Sequence, residues 1–310
     1  MLRLHPFLLS ARAGRWTWPF LAIGFALFAT LVVLFGAPIG MIEAALRDAG
    51  RPAELAFVPG QWFGYAAFAG IGAAFIGAAA LVIGVVHGQS PREAIGPGGR
   101  FSWGDFARAA GAGALLGVVA TLWSAIADPG AVRLIPRGPE HAPWVALAAA
   151  ALLVQTFGEE YAFKGYLARA LGAVIPFRFA VIPILSVIFA AVHADNPDVR
   201  VDQAFMLIAV VATTALTYAI YFRTEDLGAV TGLHWINNFW AFAVVATAPV
   251  QSEALALAAH DDPVLAAGGT RLDDPSAYLE LGLALAALWG LLAWRRSPFY
   301  LKPALRKADR

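Results

Sequence analysis

The chain has 310 residues, of which 60% are hydrophobic and only 14% are charged, and its mean hydropathy is +0.67. This composition is far more apolar than that of a soluble globular domain and indicates a protein that lies in lipid. The net charge of +1, without a basic arm, argues against nucleic acid as a partner. The absence of cysteine excludes disulfides, Cys-ligated zinc and a thiol nucleophile.

Apolar runs of about 20 residues recur along the whole chain. A helix needs about this length to cross a membrane, since the hydrocarbon core is roughly 30 Å thick and each residue rises about 1.5 Å. In chain order the runs cover residues 18–40, 60–86, 109–127, 142–158, 179–192, 203–222, 227–252 and 277–294. They predict an all-α polytopic membrane protein, a single domain over residues 1–310 with about eight transmembrane helices.

The distribution of Lys and Arg predicts the orientation of these helices. Cytoplasmic loops carry an excess of basic residues, and with eight spans 16 of the 22 Lys and Arg residues fall on the side of both termini. We therefore expect a multi-pass protein of the cell membrane with both termini in the cytoplasm. The acidic stretch 251–275 is predicted to be a solvated exterior loop, and His87 and His141, at the ends of runs, are predicted to be solvated as well.

Four polar residues interrupt the apolar runs: Glu159 and His193 follow the ends of two runs, and His234 and Asn238 lie within another. A charge at membrane depth costs several kcal/mol, so such groups persist where they are paired, face water or carry out chemistry. Glu159 and His193 flank a Gly/Pro break at 172–176, and an antiparallel hairpin folded there brings them within about 5 Å in height. These two residues are therefore predicted to meet.

His234 can meet Glu159 and His193 only if it lies at the same height in the bundle. It lies about 12 Å above the preceding turn, so it is level with the other two if the hairpin tip projects into the cytoplasm. The tip carries the basic residues Lys164, Arg169 and Arg178, which suit such a position. The depth of residues 195–198 is not defined by the pattern.

Polar residues spaced by four lie on one face of a helix. The pairs with this spacing are Glu160 with Lys164, Phe189 with His193, and His234 with Asn238. Glu159 lies about 100° around the helix from Glu160, so one carboxylate can face a cavity while the lysine engages the other. The two glutamates are therefore predicted to have different roles.

Three motifs in this order carry a family resemblance: Glu-Glu-x-x-x-Lys from Glu159, Phe-x-x-x-His ending at His193, and His-x-x-x-Asn from His234. The sequence resembles the CPBP family of intramembrane proteases, which includes type II CAAX prenyl endopeptidases and bacteriocin-processing or self-immunity proteins. The similarity covers residues 142–242, which we interpret as the catalytic core. Residues 1–141 are then an N-terminal extension of three helices.

The resemblance implies an endopeptidase that hydrolyses a membrane-associated peptide, CAAX-like or bacteriocin-like. It implies that Glu159 is the general base that activates a water and that His193 helps to hold this water. It further implies that His234 and Asn238 stabilise the oxyanion. The expected partners are membrane lipids and a membrane-associated peptide or protein substrate, and the active-site cavity is expected to open towards the cytoplasm.

Glu160 and Lys164 are predicted to support the site as an ion pair. Lys164 stands where the family's first motif usually has Arg, which keeps the charge but loses the bidentate geometry of a guanidinium. No cofactor and no metal are expected. The alternative is a zinc-dependent metalloprotease with Glu159, His193 and His234 as ligands, although the compact His-Glu-x-x-His spacing does not occur.

Two other functions use the same polar residues. A catalytically silent membrane scaffold or immunity factor would keep the cluster without turnover, and the lysine in the first motif favours this alternative. A proton- or ion-coupled transporter would use the cluster as a relay. Against the transporter, the sequence has no inverted repeat and no pair of broken helices.

Overall fold

A computed structural model describes residues 15–52, 55–175, 177–194, 202–248, 253–267 and 269–304. Its helices are α1 (Trp18–Asp48), α2 (Trp62–Leu81), α3 (Trp103–Ala127), α4 (Ala142–Glu160), α5 (Ala168–Val174), α6 (Arg178–Val192), α7 (Gln203–Thr224), α8 (Leu227–Phe239), α9 (Pro263–Ala266) and α10 (Pro275–Ala293). Helices α2, α4 and α8 each continue into a π-helical turn, at Val82–Val86, Tyr161–Leu167 and Trp240–Val244. Short 3₁₀ turns lie at Pro91–Ala94, Pro97–Gly99 and Pro139–His141.

Each predicted apolar run contains a helix. Six helical segments are long and apolar enough to cross a membrane: Trp18–Asp48, Trp62–Val86, Trp103–Ala127, Pro139–Val174, Gln203–Thr224 and Pro275–Ala293. The chain is thus a mostly helical, multi-pass membrane protein. The number of eight spans and the cytoplasmic side of both termini stay predictions.

Side-chain caps fix the start of several helices. Ser102, Asp226 and Asp274 are the N-caps of α3, α8 and α10, and each accepts a hydrogen bond from a backbone N–H in the first turn. Asp226 also accepts a hydrogen bond of 3.2 Å from the backbone N–H of Ser102. The first turns of α3 and α8 are therefore joined, and the two helices start at the same level.

Glycines let the helices of the polar cluster approach earlier helices closely. Gly72 of α2 faces Gly158 of α4, and a Cβ atom added at Gly158 would lie 2.6 Å from the Cα of Gly72. Helix α8 approaches α3 in the same way, since a Cβ at Gly232 would lie 3.0 Å from the Cα of Phe106. Small residues permit such close backbone contacts between helices in lipid. Helices α2 and α3 thereby fix the positions of α4 and α8.

A small sheet closes one end of the bundle. Its strands are β1 (Val132–Leu134), β2 (Val245–Ala248) and β3 (Ala258–Asp261), in the order β1-β3-β2. The central strand β3 pairs antiparallel with β1 and parallel with β2. The sheet joins the segments that follow α3 and α8 with the segment that precedes α10.

The sheet corrects two predictions. The run at 227–252 was expected to be one helix, but helical structure ends at Val244 and β2 follows; residues 249–252 lie outside the described ones. The stretch 251–275 was expected to be a solvated loop, but it supplies β3 and α9. Short apolar segments cannot be assigned to helix or strand from hydropathy alone. Residues 245–248 form a strand because they pair with β3.

Several polar residues that were expected in water are buried. His87 is stacked on Trp16, with ring centroids 3.8 Å apart, and its Nδ1 donates to a backbone carbonyl. The Nε2 atom of His141 lies 3.1 Å from a different backbone carbonyl oxygen. Lys164 and Arg169 are each only 1% exposed, so they do not lie in a solvated hairpin tip. Buried polar groups are retained where hydrogen bonds or ion pairs compensate their desolvation, which hydropathy does not report.

Candidate active site

Glu159 lies at the end of α4 and is buried. Its Oε1 accepts a hydrogen bond from Nε2 of Gln155, one turn earlier on the same helix. Its Oε2 has no hydrogen-bond donor among the described residues, and two imidazole nitrogens face it: Nε2 of His234 at 3.6 Å and Nε2 of His193 at 4.0 Å. One carboxylate oxygen is therefore held in place, while the other lies between two histidines.

His193 follows the last residue of α6 and is brought to Glu159 by the chain reversal between α5 and α6. Helix α5 ends at Val174 and α6 begins at Arg178, beside the predicted turn. The imidazole is stacked on Phe189, with ring centroids 4.3 Å apart, and its Nδ1 lies 2.7 Å from the Phe189 carbonyl oxygen. Because a carbonyl oxygen only accepts, Nδ1 carries a proton, and Nε2 faces Glu159.

His234 lies on α8 between the two glutamates. Its Nδ1 donates to Oε1 of Glu160 at 2.9 Å, while its Nε2 faces Glu159. Oε2 of Glu160 pairs with Nζ of Lys164 at 2.6 Å, and both side chains of this ion pair are at most 2% exposed. The ammonium group also lies 4.6 Å from the centroid of the Tyr218 ring. The two glutamates thus have different surroundings, as the spacing predicted.

Asn238 is linked to Glu159 indirectly. Its Nδ2 donates to Oε1 of Gln155 at 3.4 Å, and Gln155 in turn donates to Glu159. The neighbouring Asn237 donates to Oδ1 of Asn238 at 3.3 Å. Gln155 was missed by the sequence analysis because an amide does not interrupt an apolar run; its spacing of four from Glu159 was the available signal.

The structure therefore brings the predicted site residues together. His193 and His234 both face Glu159, and Asn238 is linked to Glu159 through the amide of Gln155. Glu160 and Lys164 form a buried ion pair beside them. Residues 195–198, whose depth the sequence left open, lie outside the described ones.

Exposed tryptophans allow the depth of this cluster to be judged. Trp103 and Trp123 of α3 are 62% and 65% exposed, and the helix between them is about 30 Å long, close to the hydrocarbon thickness. Tryptophan favours the membrane–water interfaces, so the pair indicates where the two interfaces lie. Since α3 and α8 start at one level, His234 lies roughly 10 Å further along the bundle than Trp103.

The candidate metal ligands do not form a recognisable metal site. Glu159, His193 and His234 are all described, yet no group of three or more His, Asp and Glu side chains in the described part of the chain is arranged to hold a metal ion. The zinc-dependent alternative stays a prediction, and the metal content of the purified protein tests it.

The apolar helices and this cluster define a multi-pass membrane protein whose ionisable groups meet within the bundle. A family model described as type II CAAX prenyl endopeptidase Rce1-like matches residues 141–240. The resemblance to the CPBP family of intramembrane proteases is thereby confirmed over this segment, which contains all six predicted site residues. Neither the curated proteins nor the solved structures contain a significant match to the chain.

Proposed function

We propose that the protein is an intramembrane endopeptidase that cleaves a membrane-associated peptide by glutamate-activated water. The observation that carries the proposal is the position of Oε2 of Glu159, buried and between two imidazole nitrogens. The match to a family of CAAX-type proteases supports the reaction class. Substrate and mechanism are part of the proposal.

Glu159 and His193 are suited to hold and activate a water. Polar atoms 3.6–4.0 Å apart are too far for a direct hydrogen bond but can be bridged through a water. Oε2 of Glu159 and Nε2 of neutral His193 are both acceptors, so a water between them donates both of its hydrogens and keeps a lone pair for the substrate carbonyl. Transfer of one proton to Glu159 then produces the nucleophile.

His234 and Asn238 are suited to stabilise the oxyanion. His234 lies between two carboxylates, and an imidazolium in this position donates from Nδ1 to Glu160 and from Nε2 to a developing negative charge. Asn238 uses one amide hydrogen for Gln155 and has a second to offer. Two such donors in a water-poor site are worth several kcal/mol in the transition state. Glu160, neutralised by Lys164, orients His234 without reacting.

The depth of the site limits the substrate. The reacting groups lie roughly 10 Å inside the nearer interface, so a soluble peptide would have to leave water to reach them. A peptide with a lipid group or an apolar segment next to the cleaved bond enters at lower cost. We therefore propose a lipid-modified or membrane-inserted substrate, with CAAX-type peptides the first to test.

The test compares wild type with Glu159→Gln in liposomes that contain either a prenylated CAAX-type peptide or the same peptide without the lipid. General-base catalysis contributes about 10²–10⁴-fold, so Glu159→Gln should lose cleavage by that factor while it remains folded. Glu280→Gln is the matched control, because Glu280 also lies on a membrane helix but is exposed. Equal turnover by wild type and Glu159→Gln would refute the role of Glu159 as the base, and no turnover by wild type would leave the silent scaffold as the alternative.

A further inference from the structure

Gln155 connects the two halves of the proposed site. It lies on α4, one turn before Glu159, and is only 6% exposed. Its amide nitrogen donates to Glu159 and its amide oxygen accepts from Asn238 on α8. We infer that Gln155 is a positioning residue that sets the orientation of both the base and the oxyanion donor, an inference that rests on the proposed function.

Hydrogen-bond chemistry leaves a single orientation for this chain of groups. An ionised carboxylate only accepts, so Gln155 must turn its NH₂ group towards Glu159. Its carbonyl oxygen then faces Asn238, which must present NH₂ in return. The Oδ1 atom of Asn238 consequently points the other way, where Asn237 donates to it. All three hydrogen bonds run in one direction and end at the carboxylate.

This direction matters for the proposed reaction. Asn238 can stabilise an oxyanion only if its NH₂ group faces the site, because its carbonyl oxygen would repel the developing charge. An asparagine side chain can flip by 180°, and the acceptor on Gln155 selects the useful orientation. On the other side, the hydrogen bond to Oε1 of Glu159 leaves Oε2 directed at the histidines. One residue thus orders two groups on different helices.

Replacement of Gln155 by leucine keeps the size of the side chain and removes both hydrogen bonds. Because the groups it orders act in the chemical step, kcat should fall about 10- to 100-fold while KM changes little. In an Asn238→Ala background, Gln155→Leu should lower kcat by a clearly smaller factor, because one of the two residues that Gln155 orients is already removed. Thr156→Val is the matched control: Thr156 is the next residue on α4 and is fully buried, and among the described residues its hydroxyl bonds only to carbonyls of its own helix.

A second measurement does not depend on cleavage. Gln155→Leu and Glu159→Leu each leave a buried polar partner without its hydrogen bond, whereas the double variant removes both partners. The loss in Tm of the double variant should therefore fall short of the sum of the single losses by about 2 °C or more. Additive losses would show that the two side chains are not coupled and would overturn the inference.

The kinetic outcomes are equally decisive. A fall in kcat that Thr156→Val reproduces would assign the effect to general disturbance of α4, and a change confined to KM would make Gln155 a substrate contact; each overturns the inference. If wild type cleaves no peptide, the proposed function fails, while the coupling in Tm still reports on the hydrogen bond between Gln155 and Glu159. The two failures are thus distinguishable.

Discussion

Replacement of Gly72 by alanine tests whether the close contact of α2 with α4 positions the proposed base. The added Cβ atom would lie 2.5 Å from the Cα of Gln155, whereas ordinary Cβ contacts begin at 3.4 Å. The obstructing atom belongs to the backbone and cannot rotate away. Helix α4 must therefore move by about 1 Å, because a packed interior has no space to absorb the methyl group.

This displacement acts on activity and on stability. The segment that moves carries Gln155 and Glu159, while His193 and His234 lie on α6 and α8 and are not directly pushed. A misplacement of about 1 Å between reacting groups can cost roughly 10²-fold in rate. Overpacking of a well-packed contact costs about 1–3 kcal/mol of stability. We expect Gly72→Ala to lose about 10²-fold in kcat and to unfold a few degrees lower.

The assay measures cleavage and thermal unfolding of Gly72→Ala beside those of Gly36→Ala. Gly36 lies in the interior of α1, and a Cβ atom there meets nothing within 4 Å, so this control carries the same chemical change without the contact. The control should keep the activity and the Tm of wild type. If Gly72→Ala matches Gly36→Ala in both measurements, the contact does not position the base and the reasoning is refuted.

Three further predictions concern charge and metal. Lys164→Met leaves the buried Glu160 carboxylate without its counter-charge and should lower the free energy of unfolding by about 3–5 kcal/mol. A second change, Glu160→Gln, should restore much of this loss, which thermal unfolding measures. Burial raises the pKa of Asp226, in the turn between α7 and α8, from 3.8 to about 6, despite hydrogen bonds from two backbone N–H groups. A carboxyl group whose folded pKa is raised makes the protein less stable as pH rises between these two values. Asp226→Asn can still cap α8 but does not titrate, so its Tm relative to wild type should increase over that range, and a constant difference would contradict this. Cleavage should survive dialysis against a chelator, and elemental analysis should find far less than one zinc per chain; loss of activity that zinc restores would favour the metalloprotease alternative.

Hydropathy and spacing predicted the parts of the fold that depend on local sequence. Every apolar run contains a helix, and the heights of Glu159 and His193 followed from counting residues to a Gly/Pro break. The pair of Glu160 with Lys164 followed from a spacing of four. These features need only the geometry of a helix, which the sequence specifies directly.

Features that depend on packing between distant segments were not predictable in this way. The sheet joins strands at 132–134, 245–248 and 258–261, none of which has enough alternation to identify it. The burial of His87 depends on Trp16, which lies far from it in sequence. Glycine runs indicated close packing, but not that Gly72 would meet the segment with the proposed base.

The depth of the site also bears on how products leave it. Hydrolysis of a peptide bond creates a new carboxylate and a new ammonium group, and here both would form roughly 10 Å from the nearer interface. Charges at this depth are several kcal/mol less stable than in water. The uncharged peptide bond enters the site at a lower free-energy cost than the charged ends of the products incur by staying there. The products are therefore driven out. The proposed reaction therefore limits inhibition by its own products.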